Sequence, residues 1–269
     1  MKKKFTALAL VALVLASHSI LFAHEFWIMP SIFKLKLGQS TPLNFYAGED
    51  YLGEVWAKRK ERTLSLTHYT RKKKKDLTAL AVQNDSIDFS VKFDNEGTHL
   101  LTMQSKNSFI GLEAAKFNEY LKDDGIDNIY ALRQKNGEMN NPSRELYRRC
   151  AKTLIQVGDK MDKTFHENTG MPLEIIPFQN PYALKAGEML TVQILFEGKP
   201  LINKEISTWQ KTIKDKTIHQ KLRTDKDGKA VITLDKNGQW MVSLVHMIPV
   251  INNPEGNYQS YWGSLTFEL

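Results

Sequence analysis

The chain has 269 residues, 42% of them apolar and 10% aromatic, with 37 Lys and Arg against 30 Asp and Glu. That is enough apolar material for one large or two modest cores, and the mild cationic excess is not a nucleic-acid footprint. A single cysteine, Cys150, excludes an intrachain disulfide, a zinc ribbon and CxxC redox chemistry, so stability has to come from packing.

Residues 1–23 have the anatomy of a secretory signal: Lys2, Lys3 and Lys4, a short apolar run from Ala7 to Ala16, and then small residues. The run is too short to span a bilayer as a mature helix, so no stable membrane span is expected. Two cuts satisfy the small-residue rule, after Ala16 and after Ala23. The second makes His24 the first residue of an exported, periplasmic chain that keeps an excess of four cations. A terminal histidine offers its α-amine and its imidazole Nδ1 together as a chelate for nickel or copper.

From Phe33 to Ser105 the pattern is that of strands. Phe33, Leu35 and Leu37 alternate with polar residues, Leu43, Phe45 and Ala47 do the same, and Thr63 to Thr70, Ile87 to Phe93 and Thr98 to Ser105 follow between Asn, Asp and Gly turn signals. This predicts an N-terminal β-sandwich over 24–108. Arg71 to Lys75 reads as a solvated hairpin tip, with an acidic partner or membrane headgroups as the alternative. Between 109 and 170 the period changes to a helical insert. Phe117, Tyr120 and Leu121 suggest one helix, and Ile126, Ile129, Tyr130 and Arg133 a second. A third is expected from Arg144 to Val157, where Leu146, Cys150, Leu154 and Val157 form an apolar stripe, Ser143 can cap the start and Gly158 the end. Cys150 on that stripe reads as an inert buried thiol.

Seven candidate strands fill 171–269: Leu173 to Phe178, Met189 to Phe196, Ile202 to Trp209, Thr217 to Leu222, Lys229 to Leu234, Trp240 to Ile248 and Tyr261 to Phe267. Turns at Gly198-Lys199-Pro200, Asp225 to Gly228 and Asp235 to Gly238 separate them, which predicts a C-terminal β-sandwich. The expected class is therefore mainly β: two sandwich modules around a helical insert.

Several motifs carry a family resemblance that covers essentially the whole mature chain. His24-Glu25-Phe26-Trp27, Gly48-Glu49-Asp50-Tyr51, Lys116 to Leu121, Arg144 to Tyr147, Gln156-Val157-Gly158, Pro172 to Pro177 with Asn180-Pro181-Tyr182, Val245-His246-Met247 and Tyr261 to Phe267 resemble a periplasmic family associated with nickel or cobalt uptake. The resemblance implies immunoglobulin-like or transthyretin-like modules, a metal-related role and no established catalytic residues. It favours the cut after Ala23, and its histidine motifs match His24 and His246.

The metal expectation rests on those two histidines. His246 follows Trp240, Val242 and Leu244 on one face of a strand that is apolar on both faces, so it is either a quiet core histidine or a partner of His24. Terminal amine, His24 Nδ1 and His246 would make a three-nitrogen brace suited to copper or nickel. Glu49, Asp50 and His99 are outside candidates to complete the site; His99 otherwise reads as inward-facing core, and His68, His166 and His219 as exposed. No HExxH, GxSxG, Walker loop or dinucleotide fingerprint occurs, and the five tryptophans read as core more than as a carbohydrate platform. The sequence thus suggests a non-enzymatic exported protein that captures or delivers nickel, cobalt or copper, with a membrane metal transporter as partner. A copper-dependent oxidase using the same brace and a metal-free adhesion or assembly module are the alternatives.

Overall fold

The computed structural model describes residues 25–83, 89–212 and 217–269; the signal segment, His24 and Ile87 lie outside them. In chain order the elements are β1 (Glu25–Pro30), β2 (Lys34–Leu35), β3 (Ser40–Glu49), β4 (Leu52–Val55), β5 (Thr63–Thr70), β6 (Lys73–Asp76), α1 (Thr78–Val82), β7 (Ser90–Lys92), β8 (Gly97–Ser105) and β9 (Ser108–Leu112). Then come α2 (Ala114–Asp123), α3 (Asp127–Asn136), β10 (Ser143–Val157), β11 (Leu173–Pro177), β12 (Glu188–Phe196), β13 (Lys199–Pro200), β14 (Glu205–Lys211), β15 (Thr217–Arg223), β16 (Lys229–Leu234), β17 (Gln239–Pro249) and β18 (Tyr258–Glu268). The chain is mainly β, as its alternation predicts.

One ten-stranded sheet organises the molecule, in the order β15-β14-β17-β18-β10-β8-β5-β6, with β2 and β9 also pairing with β10. A small sheet of β1, β3, β4 and β7 covers part of one face, with α2 and α3 beside it; β11, β12, β13 and β16 cover part of the other. Strand alternation assigns the faces. Trp240, Val242 and Leu244 of β17 join Leu190, Val192 and Ile232 in one core, while Val245 and Met247 meet Phe117, Leu121 and Ile129 under the helices on the opposite side.

The helix expected over Arg144 to Val157 is a strand. Leu146, Cys150 and Leu154 are spaced by four residues, and a spacing of four satisfies both the helical turn and the period of two. What decides is the residues between them: every position from Arg149 to Val157 is buried, including Ala151, Thr153 and Ile155. A segment buried on both faces is a central strand. It runs parallel to β18 and antiparallel to β8, so it stitches N-terminal strands to C-terminal ones within one sheet. The helical part of the insert is α2 and α3, with one 3-10 turn at Thr164–His166. Cys150 is buried as expected, its thiol pushed up to about 12 by burial.

All five tryptophans are buried, which answers for core over platform. His99 is buried as expected, but His68, expected in solvent, is buried too. His68 Nε2 lies 2.7 Å from His99 Nδ1, His99 Nε2 lies 2.9 Å from Asn95 O, and Phe93 packs edge-on against both rings. With His99 Nε2–H given to the carbonyl, His99 Nδ1 accepts from His68, and both rings are neutral.

Candidate functional site

The start of β1 is where acidic side chains from distant segments meet. Alternation along β1 sends Phe26 and Ile28 into the N-terminal core and turns Trp27 towards Trp209 and Met241. Glu25 pairs across the ladder with Gly48 of β3. After Glu49 the chain reverses through Asp50 and Tyr51, both left-handed with φ of 55° and 59°, the backbone of a two-residue hairpin that ordinarily recruits Asn-Gly. Tertiary contacts hold the strained turn: the Tyr51 ring is buried edge-on against Trp27 at 5.4 Å, and Trp27 stacks on Tyr46 at 5.7 Å.

Glycine is required in this hairpin by close approach. A Cβ on Gly53 would lie 2.7 Å from both Ala47 O and the Trp27 ring. We expect Gly53→Val to lower stability by about 1–3 kcal/mol through overpacking, seen as a lower urea midpoint with unchanged slope. An unchanged midpoint would show that the hairpin moves freely against Trp27.

The hairpin presents Glu49 and Asp50 at the rim of an open cleft of about 410 Å³, which Glu25, Glu119, Asp123 and Asp124 also line. Against these six carboxyl groups stand two lysines, Lys116 and Lys221. Lys221 is itself engaged, 2.9 Å from Glu205 Oε1 and donating to Asp123 O at 2.6 Å. Burial, reinforced by Asp124, Asp50 and Glu49, pushes Glu25 up to about 8. Burial likewise raises Asp124 to about 7, with Lys221 and Lys204 opposing and Asp123 and Glu49 adding to the rise. The far wall is β14 and β15: His219 stacks on Trp209 with centroids 3.8 Å apart, its Nε2 is 3.1 Å from Ser207 Oγ, and Trp209 Nε1 donates to Ser243 Oγ at 2.9 Å. Burial and Lys221 lower the His219 pKa, so the ring is a neutral nitrogen donor.

The structure brings Glu49 and Asp50 to this cleft but not the other expected residues. His99 is in the N-terminal core, paired with His68. His246 lies on the opposite face of β17: Ser243 and Val245 adjoin Glu25, whereas the His246 ring packs on Phe196 of β12 at 4.5 Å. Burial, helped by Lys204, pushes that ring down to about 4. His24, the other half of the expected three-nitrogen brace, lies outside the described residues. Among the described residues, no three His, Cys, Asp or Glu side chains are placed to hold a metal ion on their own.

The sequence reading missed Glu25, Glu119, Asp123, Asp124 and His219. One signal was available: Glu119 and Asp123 are four apart on a helix, a like-charge pair that costs helix stability unless it serves something else.

A family profile described as "Domain of unknown function (DUF4198)" matches residues 21–248. No curated protein matches the chain. Among solved structures, the D0-D1 domain of intimin aligns over 90% of this chain and 97% of its own, at 12% identity and a TM-score of 0.21. Three N-terminal domains of the bacteriophage RB49 outer capsid protein Hoc align at 12% identity and 0.20, over 90% of this chain and 59% of that one. A tetra-tandem repeat of a large adhesion protein aligns at 8% and 0.21, over 91% and 49%. Superpositions this poor carry no argument about role.

Proposed function

This chain belongs to the DUF4198 family, a domain of unknown function, and we propose that it is an exported, non-enzymatic protein that captures a transition metal ion, nickel, cobalt or copper, at the start of β1 and delivers it to a membrane transporter. The observation that carries this reading is the cleft beside Glu25, where six carboxyl groups face two lysines. Burial and neighbouring carboxylates favour the protonated forms of Glu25 and Asp124, and a dication bound among the six groups would displace those protons and relieve the remaining repulsion more fully than a monovalent ion.

The donor chemistry fits such an ion in part. Carboxylate oxygens and the neutral His219 imidazole suit borderline dications, but they are too dispersed to form a complete set. The α-amine and Nδ1 of a mature His24 would supply the chelate, with the carboxylates giving charge and oxygen donors around it. This reading takes its donors from the face of β17 next to Glu25 and so does not use His246, whose ring packs on Phe196.

The root of the proposal is the processing point. Mass spectrometry of the exported protein is expected to find a chain beginning at His24. A chain beginning at Ser17 would leave His24 internal, without a free amine, and would end the proposal in this form.

A further inference from the structure

We propose that the β5–β6 hairpin docks the protein on an anionic lipid bilayer. Arg71, Lys72, Lys73, Lys74 and Lys75 are consecutive and all exposed. Among the described residues none of the five forms an ion pair with a carboxylate. The hairpin's own acid, Asp76, directs its carboxylate to Thr78, at 2.8 Å from the backbone N and 2.5 Å from Oγ1. Lys74 lies over the Tyr69 ring at 5.3 Å. Five cations thus stand together at one edge of the ten-stranded sheet, outnumbering the acids beside them: Asp76, which Thr78 and, more weakly, Lys74 hold ionised, and Asp162 and Glu167, which share a cleft with Arg71.

Protection of the sheet edge accounts for only part of this. Lysines on an edge strand block the addition of a foreign strand, and those of β6 serve that purpose. Arg71 and Lys72 are in the turn, outside the ladder, at positions where turn chemistry favours Asn, Asp or Gly. Their charge serves neither the turn nor the edge. Helix α1, which follows directly, leaves Leu80 55% exposed, so an apolar side chain accompanies the cations. A flat array of phosphate diesters is the partner that engages several such cations at once within a Debye length.

The placement also has a direction. The order of the sheet puts β6 at one edge and β14 and β15, which wall the acidic cleft, at the other, roughly seven strand spacings of about 4.8 Å away. Docking through the hairpin holds the acidic cleft away from the anionic surface. The inference stands without the metal reading, because it uses no residue of the cleft.

The test is co-sedimentation of the processed protein with vesicles of phosphatidylcholine alone or mixed with phosphatidylglycerol. Binding is expected only with phosphatidylglycerol and is expected to fall steeply with added salt. A Lys72→Gln/Lys73→Gln/Lys75→Gln variant should bind about a hundredfold more weakly, roughly fivefold for each cation. A control variant, Lys36→Gln/Lys185→Gln/Lys226→Gln, removes the same charge from other exposed positions and should keep its binding. Equal binding to both vesicle types, equal loss in the two variants, or no loss in the hairpin variant would each overturn the proposal. So would a hairpin-dependent self-association without lipid binding, since the partner would then be the acidic cleft of a second copy.

Discussion

Replacing Glu174 by alanine is expected to lower stability by about 3–5 kcal/mol, one of the two largest effects foreseen for this chain. Glu174 of β11 and Lys152 of β10 form an ion pair in which each side chain is only 2% exposed. The other carboxylate oxygen of Glu174 accepts from Thr169 N at 3.0 Å, Thr169 Oγ1 at 2.5 Å and Met171 N at 2.8 Å, which ties the approach to β11 against the central strand. Burial already lowers the Lys152 pKa, with Glu174 the chief group holding its proton in place. Removing the carboxylate strands an ammonium in the core and unties the loop. Lys152→Met combined with Glu174→Leu should recover part of the loss, because an apolar pair leaves no buried charge, though the donors of Thr169 and Met171 stay unmet. Urea midpoints of the three variants check this. A Glu174→Ala variant within about 1 kcal/mol of the parent would show that water reaches the pair, contradicting its burial.

The second large effect is expected in acid. An unfolded chain takes a proton on histidine near pH 6.5, whereas burial, with His99 and Lys75 adding to it, pushes native His68 down to about 4. The His99 ring facing it is also lowered by burial, against the pull of Asn95 O and Asp162. Between those pH values the unfolded state binds more protons than the native one. Stability is therefore complete above pH 6.5 and is lost as the pH falls towards 4, by about 3 kcal/mol for His68. His246, also pushed down to about 4, adds a loss of the same sign.

A buried carboxyl works in the opposite sense. Glu145, raised to about 7 by burial, stabilises most below its unfolded value of 4.5, and that contribution disappears as the pH rises through 7. The histidine effect is therefore read as a difference. His68→Gln preserves a donor for His99 Nδ1 without a group that titrates in this range. The advantage of the parent over this variant should shrink by about 3 kcal/mol between pH 6.5 and pH 4. Parallel stability curves would show that the pair does not hold its rings neutral.

The strands were legible where one face is apolar and the other wet. Lys229 to Leu234 has the bounds its alternation predicts, Thr63 to Thr70 has its expected bounds although Leu66 to Tyr69 are all buried, and α2 and α3 fall on the two helical stripes. The failure at Arg144 to Val157 has a physical cause: in a strand buried on both faces alternation vanishes, and residues four apart satisfy either period. His68 was misplaced because its polar neighbours Thr67 and Thr70 in β5 suggested a wet strand, while the ring itself is sealed by Phe93 and His99. The cleft was only partly legible. The Gly48-Glu49-Asp50-Tyr51 motif pointed to one wall, but Glu25, α2 and β15 come together through a sheet order that places β14 and β15 outside β17 and far along the chain from β1. The face of His246 was not legible, since one step of alternation along β17 decides whether a ring lies beside Glu25 or on Phe196.

The measurement that bears most directly on the central claim is calorimetric titration of nickel or copper into the chain beginning at a free His24, beside the same chain with its terminal amine acetylated. Binding to the free terminus is expected. Acetylation should weaken it by at least the roughly 10- to 100-fold that even outer-shell partners of a metal contribute, and His246→Gln should leave it unchanged. Equal affinity for the free and acetylated chains, or binding that depends on His246, would contradict a metal held at the start of β1.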